Sequence, residues 1–160
     1  MEELKKITMS LVFIIENNKV LMGQKKRGFA KGTYNGFGGK QDPGETLVQT
    51  MIRETQEEVG LTPVEFEQVA KITFDAWYKD EHSLLNMNAF ICTKYEGSIT
   101  ETEEMTFEWF DIDKIPYDQM LEDDKLWVPQ VMEGKKLVGN VVFDKDLKML
   151  SKDFQVVEKI

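Results

Sequence analysis

The chain has 160 residues, 41% of them hydrophobic, enough for one domain with its own core and without cross-links. Lys and Arg number 20 against 29 Asp and Glu, and the formal charge of −9 argues against a basic surface for gripping long nucleic acid. Cys92 is the sole cysteine, which excludes an internal disulfide or a multi-cysteine zinc site, fits a reducing compartment, and reads as a small core residue.

Residues 10–15 and 19–22 are β-rich runs joined around Glu16-Asn17-Asn18, a hairpin pattern. The stretch 23–39 holds six glycines and reads as a functional loop. Residues 46–59 place Leu47, Val48, Met51, Ile52 and Val59 at helical spacing, with Gly60 as a stop and Pro63 against continuation. Residues 64–77 and 84–93 predict two strands around a polar turn at 78–83, where His82, the only histidine, is expected on the surface. A strand at 107–111 follows, then broken helical segments over 118–132 around Pro129, and strands at 138–143 and 155–157. The order predicts an α/β domain whose mixed sheet is covered on both faces. The longest apolar runs, such as 11–15, are far too short to cross a bilayer, and MEELKKITMS lacks the apolar stretch of a signal peptide, so a soluble cytoplasmic protein without a membrane partner is expected.

The most informative stretch is 39–61, GKQDPGETLVQTMIRETQEEVGL. On a helix, Glu54, Glu57 and Glu58 stand at i, i+3 and i+4, so three like charges crowd one patch of surface. Helix stability does not favour that arrangement, whereas a hard divalent cation requires several oxygen ligands. The −9 chain poses the same problem for a polyphosphate substrate, whose repulsion from the carboxylates a bound cation would reverse.

The arrangement of Gly39, Glu45, Arg53, Glu54, Glu57, Glu58 and Gly60, closed by Leu61, resembles the box that marks the Nudix hydrolases, enzymes that cleave nucleoside diphosphates linked to another moiety. Thr55 is the one departure, at a packing position where the family more often has a larger aliphatic residue. The resemblance implies a Nudix α/β/α sandwich over residues 1–160. It also implies Mg²⁺, or Mn²⁺, held by Glu54, Glu57, Glu58 and the Gly38 carbonyl. A further acidic ligand or base comes from ETEEM, where Glu104 is chosen slightly ahead of Glu103. Arg53 would orient a carboxylate and Glu45 would tie the loop to the helix start. Water would attack a phosphorus while a glutamate removes its proton, and Lys25 and Lys40 would hold phosphate oxygens, with Lys26 and Arg27 equally well read as an exposed basic turn.

Flanking segments narrow the resemblance. KKRGFAKGTYNGFGGK and MTFEWFDIDKIPYDQMLEDDKLWVPQVMEGKKL are similar to the MutT-type enzymes, especially the animal type, that act on oxidised purine nucleoside triphosphates such as 8-oxo-dGTP. By position, Asn35, Asp123 and Asp124 would read the base edge, with Ser10, Phe29, Phe37, Gly38, Gly39 and Trp127 completing the substrate site. Adjacent enclosed carboxylates resist ionising together, so one can donate while the other accepts. Taken alone, Asp123-Asp124 would more often be a helix cap with a solvated neighbour. Where the animal group has a tryptophan two residues before the acidic pair this chain has Leu121, and Trp77 or Trp109 are the residues available to compensate. The implied partner is a small nucleotide, and the chain would be a monomer or homodimer. Other readings are a Nudix hydrolase for ADP-ribose or an unoxidised triphosphate, and a non-catalytic nucleotide sensor. A calcium module has little support, because no D-x-D-x-D-G loop is present.

Overall fold

The computed structural model describes residues 4–27, 31–103 and 105–160. Their elements, in chain order, are β1 (Lys5–Glu16), β2 (Lys19–Lys25), β3 (Tyr34–Asn35), α1 (Leu47–Val59), β4 (Leu61–Tyr78), β5 (Glu81–Gly97), β6 (Met105–Asp111), α2 (Asp124–Met132), β7 (Lys136–Phe143) and β8 (Met149–Val157), with 3₁₀ turns at Ile112–Lys114 and Tyr117–Gln119. The strands form one mixed sheet in the order β3-β2-β1-β5-β4-β7-β8, with β6 also paired to β2. Pairs β1/β5 and β4/β7 are parallel and the others antiparallel.

Strand alternation divides the core between the two faces. Leu11 and Phe13 of β1 point toward α2, packing with Ile72, Met87, Trp127 and Val131. Val12 and Ile14 point the other way, against Met51 and Val59 of α1. The helices therefore cover opposite faces, and the fold is the α/β/α sandwich expected from the sequence.

The β1/β2 pairing is confined to Ile14–Leu21, Ile15–Val20 and Glu16–Lys19, after which β2 turns away to pair with β6 and β3. The freed edge of β1 is taken by residues 37–41: Val12 and Phe37 exchange both backbone hydrogen bonds, Ser10 N–H donates to the Gly39 carbonyl, and Gln41 N–H donates to that of Thr8. The glycine-rich loop is thus held in the wedge where two strands part. Diverging strands in open α/β sheets are where ligand crevices form.

Helix α1 has Thr46 as N-cap in a complete capping box with Gln49, and ends at Gly60 with φ 82°. Thr55, fully buried, donates its hydroxyl to the Met51 carbonyl at 2.6 Å, which satisfies a polar group at an apolar position. The strands are longer than periodicity indicated, and the polar turn at 78–83 contracts to Lys79-Asp80, both at positive φ, inside a near-continuous β4–β5 hairpin. His82 accordingly lies within β5, half-buried, stacked on Trp77 at 4.9 Å and 2.5 Å from Asp75 through Nε2, rather than on an open turn. Helix α2 runs through Pro129 rather than breaking there. The Lys125 carbonyl that proline leaves without its helical donor belongs to an exposed residue, while Trp127, Val128 and Val131 anchor the buried face. Cys92 is fully buried in the α1-side core. No helix among the described residues is long and apolar enough to cross a membrane.

Because the capping box fixes where α1 begins, Thr46→Ala is expected to reduce stability by about 1 kcal/mol. Thermal melting should register this as a Tm lower by roughly 2–4 °C, and an unchanged Tm would show that the box contributes nothing.

Candidate active site

The acidic face of α1 is organised by Arg53. Its guanidinium grips Glu45 with Nε to Oε2 at 2.7 Å and Nη2 to Oε1 at 2.9 Å, while Nη1 donates to Glu54 at 2.8 Å and reaches Glu57 at 3.4 Å. Nη2 also meets the Lys40 carbonyl at 3.2 Å and the Asp42 carboxylate at 3.3 Å. Glu45 completes its shell by accepting from Asp42 N–H and the Thr50 hydroxyl, both at 2.9 Å. The Arg53 hydrogen bonds hold Glu45 down to about 2, and the same contacts raise Arg53 further above its ordinary value. Burial pushes Glu54 above the ordinary carboxylate range, against the pull of Arg53.

The loop residues 38 and 39 are glycines for reasons of space. A Cβ on Gly38 would lie 1.8 Å from the Ser10 carbonyl oxygen, and one on Gly39 would lie 2.4 Å from the Glu54 carboxyl carbon. Their absence lets the loop lie against β1 while Glu54 closes on it, and Gly38 N–H donates to Glu58 at 2.8 Å. Glu54, Glu57 and Glu58 then line one cavity of about 860 Å³ with Lys25, Arg27 and Glu103. Among the described residues no three acidic, histidine or cysteine side chains converge to enclose a cation. The donor set nevertheless fits a hard divalent ion: three carboxylates stand on one wall beside the Gly38 backbone, with Glu54 pressed on the loop and desolvated.

A second cavity of about 430 Å³ opens on the α2 side of the wedge and shares Lys25, Gly38, Glu58 and Met105 with the first. Three buried polar atoms without a hydrogen-bond partner belong to residues lining it: Ser10 Oγ, Asp123 Oδ1 and Asp124 Oδ2. Buried polar groups are normally satisfied, so three around one cavity mark a place for a ligand with complementary donors and acceptors. Asp123 occupies the N-cap position of α2 but makes no cap hydrogen bond; its Oδ2 accepts instead from Trp127 Nε1 at 2.8 Å. Burial lifts Asp123 from 3.8 to about 6, and burial together with the neighbouring Asp123 charge lifts Asp124 well above the ordinary range. Asn35 also lines the cavity, with Oδ1 accepting from Gly36 N–H at 2.8 Å, which leaves its amide N–H groups as donors.

Glu54, Glu57, Glu58 and Gly38 thus stand together in the first cavity, and Ser10, Asn35, Gly39, Asp123, Asp124 and Trp127 in the second. Two expectations are corrected. Phe37 is fully buried on the α1 face, packed on Phe107: its backbone pairs with Val12, so strand alternation turns its ring away from the pocket while Gly36 and Gly38 face it. Lys40 is exposed and borders neither cavity; its carbonyl, bonded to Arg53, is the part the site uses. Trp77 and Trp109 do not replace the missing ring, since Trp77 lies on the opposite face of β4 from the pocket residues Phe74, Ala76 and Tyr78, and Trp109 packs with the α1-side core. Leu121 does line the pocket. Glu104 and Phe29 lie outside the described residues. Phe74, Leu85, Met87, Phe143 and Leu147, apolar wall residues on β4, β5, β7 and the turn after it, carry no functional signal in the sequence. Their alternation marks a core-facing strand position, which carries no sign that the core opens there.

A family model for the NUDIX domain matches residues 5–131. The chain is 42% identical over 135 residues to an oxidized purine nucleoside triphosphate hydrolase of Danio rerio, covering 84% of this chain and 85% of that protein. It is 36% identical over 149 residues to the Mus musculus protein of the same name, covering 93% and 94%. Among solved structures, a mutator MutT protein from Bacillus halodurans superposes with a TM-score of 0.82 at 25% identity, covering 93% of this chain and 97% of that one.

The raised Asp123 has a signed consequence for stability. Between 3.8 and about 6 the folded carboxyl keeps a proton that the unfolded one has released, so stability declines as pH rises through that window. Asp123→Asn should flatten the decline, a difference on the order of 3 kcal/mol across the window. Calorimetric Tm values from pH 4 to 7 check this, and parallel profiles for the two proteins would contradict it.

Proposed function

As the chain belongs to the Nudix family of hydrolases, we propose that it converts oxidised purine nucleoside triphosphates, 8-oxo-dGTP foremost, to the monophosphate and pyrophosphate, and so sanitises a nucleotide pool. The observation that carries this reading is the pocket of unpartnered Ser10, Asp123 and Asp124 atoms opening beside the glutamate cavity. The two relatives named for that activity, matched over most of their length, support it.

In this reading the base enters the smaller cavity and the triphosphate lies toward α1. Burial raises both carboxyls and the charge of Asp123 raises Asp124 further, so the adjacent pair resists ionising together and can share one proton. Together they present one donor and one acceptor to a base edge, and Asn35 adds an amide donor. The apolar walls hold the flat ring, and Lys25, which borders both cavities, meets the phosphates.

Nudix hydrolases generally need divalent cations, and here Glu54, Glu57, Glu58 and the Gly38 carbonyl would hold Mg²⁺, with Mn²⁺ as the alternative and Glu104 as the further acidic residue. When bound, the cation supplies charge neutralisation at the phosphoryl oxygens and an activated water. Arg53 fixes Glu54 and steadies Glu57, the Gly38 N–H fixes Glu58, and a glutamate of this set receives the proton lost by the attacking water. We read residues 1–160 as one such domain, cytoplasmic, acting on a small nucleotide rather than on long nucleic acid or a membrane, as monomer or homodimer.

The decisive measurement compares kcat/KM for 8-oxo-dGTP, dGTP and ADP-ribose in one preparation. A preference for the oxidised base is expected, and equal rates for 8-oxo-dGTP and dGTP would sink the substrate assignment. Tight nucleotide binding without pyrophosphate release would instead make the chain a sensor. Glu57→Gln is expected to lower kcat by roughly 10²–10⁴ with Tm unchanged. Asp123→Asn should mainly change the ratio of kcat/KM between oxidised and normal base, and an equal loss for both would remove it from base reading.

A further inference from the structure

Two turns that lie far apart in sequence both border the pocket. One is Lys79-Asp80 between β4 and β5, where Tyr78 and Lys79 border the cavity. The other joins β7 to β8, and from it Leu147 borders the cavity with its backbone at φ 62°. A leucine is rarely held in the left-handed region, where its Cβ crowds the backbone. The turn enforces the conformation: Asp144 Oδ1 accepts from Asp146 N–H at 2.8 Å and from Lys148 N–H at 3.0 Å, while Asp144 N–H donates to the Lys148 carbonyl at 2.9 Å and Leu147 N–H to the Asp144 carbonyl at 3.2 Å. The two turns are also joined to each other. Lys145 Nζ sits 4.3 Å from the centre of the Trp77 ring, whose other partner is the stacked His82.

A glycine at 147 would remove the strain, so local stability alone does not account for leucine there. What leucine adds is an apolar side chain in the lining of a pocket whose other walls include Leu121, Phe74 and Phe143. We propose that Leu147 is a substrate-positioning residue, a clip held in place by the Asp144 turn that packs on the face of the bound purine. The proposal rests on the base occupying this cavity. It assigns no role to Leu147 in phosphoryl transfer, because the residue is absent from the lining of the glutamate cavity.

Two variants separate a ligand contact from a structural effect. Leu147→Gly removes the side chain and the strain, whereas Leu147→Ala removes the side chain and keeps the strain. Both are expected to raise KM for 8-oxo-dGTP and to weaken binding of 8-oxo-dGMP, followed by calorimetry, about tenfold, with kcat within twofold of wild type. Their Tm values should diverge, Gly at or above wild type and Ala at or below it. Affinity unchanged in Leu147→Gly, or affinity losses that follow Tm, would overturn the role. Wild-type protein that neither hydrolyses 8-oxo-dGTP nor binds 8-oxo-dGMP would overturn the proposed function with it, whereas normal wild-type activity with unaffected variants removes Leu147 alone.

Discussion

The bidentate contact between Arg53 and Glu45 is the interaction on which the acidic face of α1 depends. Glu45 belongs to the loop before α1 and Arg53 to the second turn of α1, so the pair fixes the loop to the helix. The same guanidinium carries the Lys40 carbonyl, the Asp42 carboxylate and two of the three clustered glutamates. Arginine suits this place because its planar fork serves several acceptors at once and stays charged, which a lysine ammonium on a flexible stem would not reproduce. The crowded carboxylates are tolerable in part because one cation sits among them. Arg53 is therefore a positioning residue: it sets where Glu54 and Glu57 stand and borders neither cavity.

The loop fixed by that pair also serves the other face of the sheet. Residues 37–41 run along the edge of β1 that β2 abandons, and this short segment contributes Gly38 to both the glutamate cavity and the second cavity. A substrate spanning the two cavities would pass the Gly38 backbone. Side chains there would meet the Ser10 carbonyl or the Glu54 carboxylate, so the glycines are demanded by packing on both sides as much as by any ligand.

Legibility in the sequence followed the range of the interactions involved. Helix α1 was readable to within a residue because its cap, apolar stripe and terminal glycine are local signals. The glutamate cluster was readable because three residues on one helix share a face whatever surrounds them. The place of Phe37 is not legible locally, because its orientation depends on antiparallel pairing with Val12, a partner 25 positions earlier. Pro129 looked like a break, yet packing of Trp127 and Val131 on the sheet holds α2 across it. Asp123 shows the limit most clearly. Its position has the sequence character of a helix cap, and only the fold shows a carboxylate turned toward Trp127 with its second oxygen left without a partner.

The two sites differ in what the surrounding protein has to do for them. Around α1 charge is balanced within the chain, since the carboxylates have Arg53 and a backbone N–H, and Glu57 is more than half exposed to water. Around α2 the balance is incomplete: two adjacent buried carboxyls face a cavity with apolar walls, and proton uptake is the response available to them without a ligand. A base that offers its own donors and acceptors would supply what the fold withholds, so discrimination follows from the cost of leaving those groups unpaired. A hydrophobic slot of the same shape would distinguish purines far less sharply, because rejecting an added or missing polar group requires a buried partner that suffers from its absence.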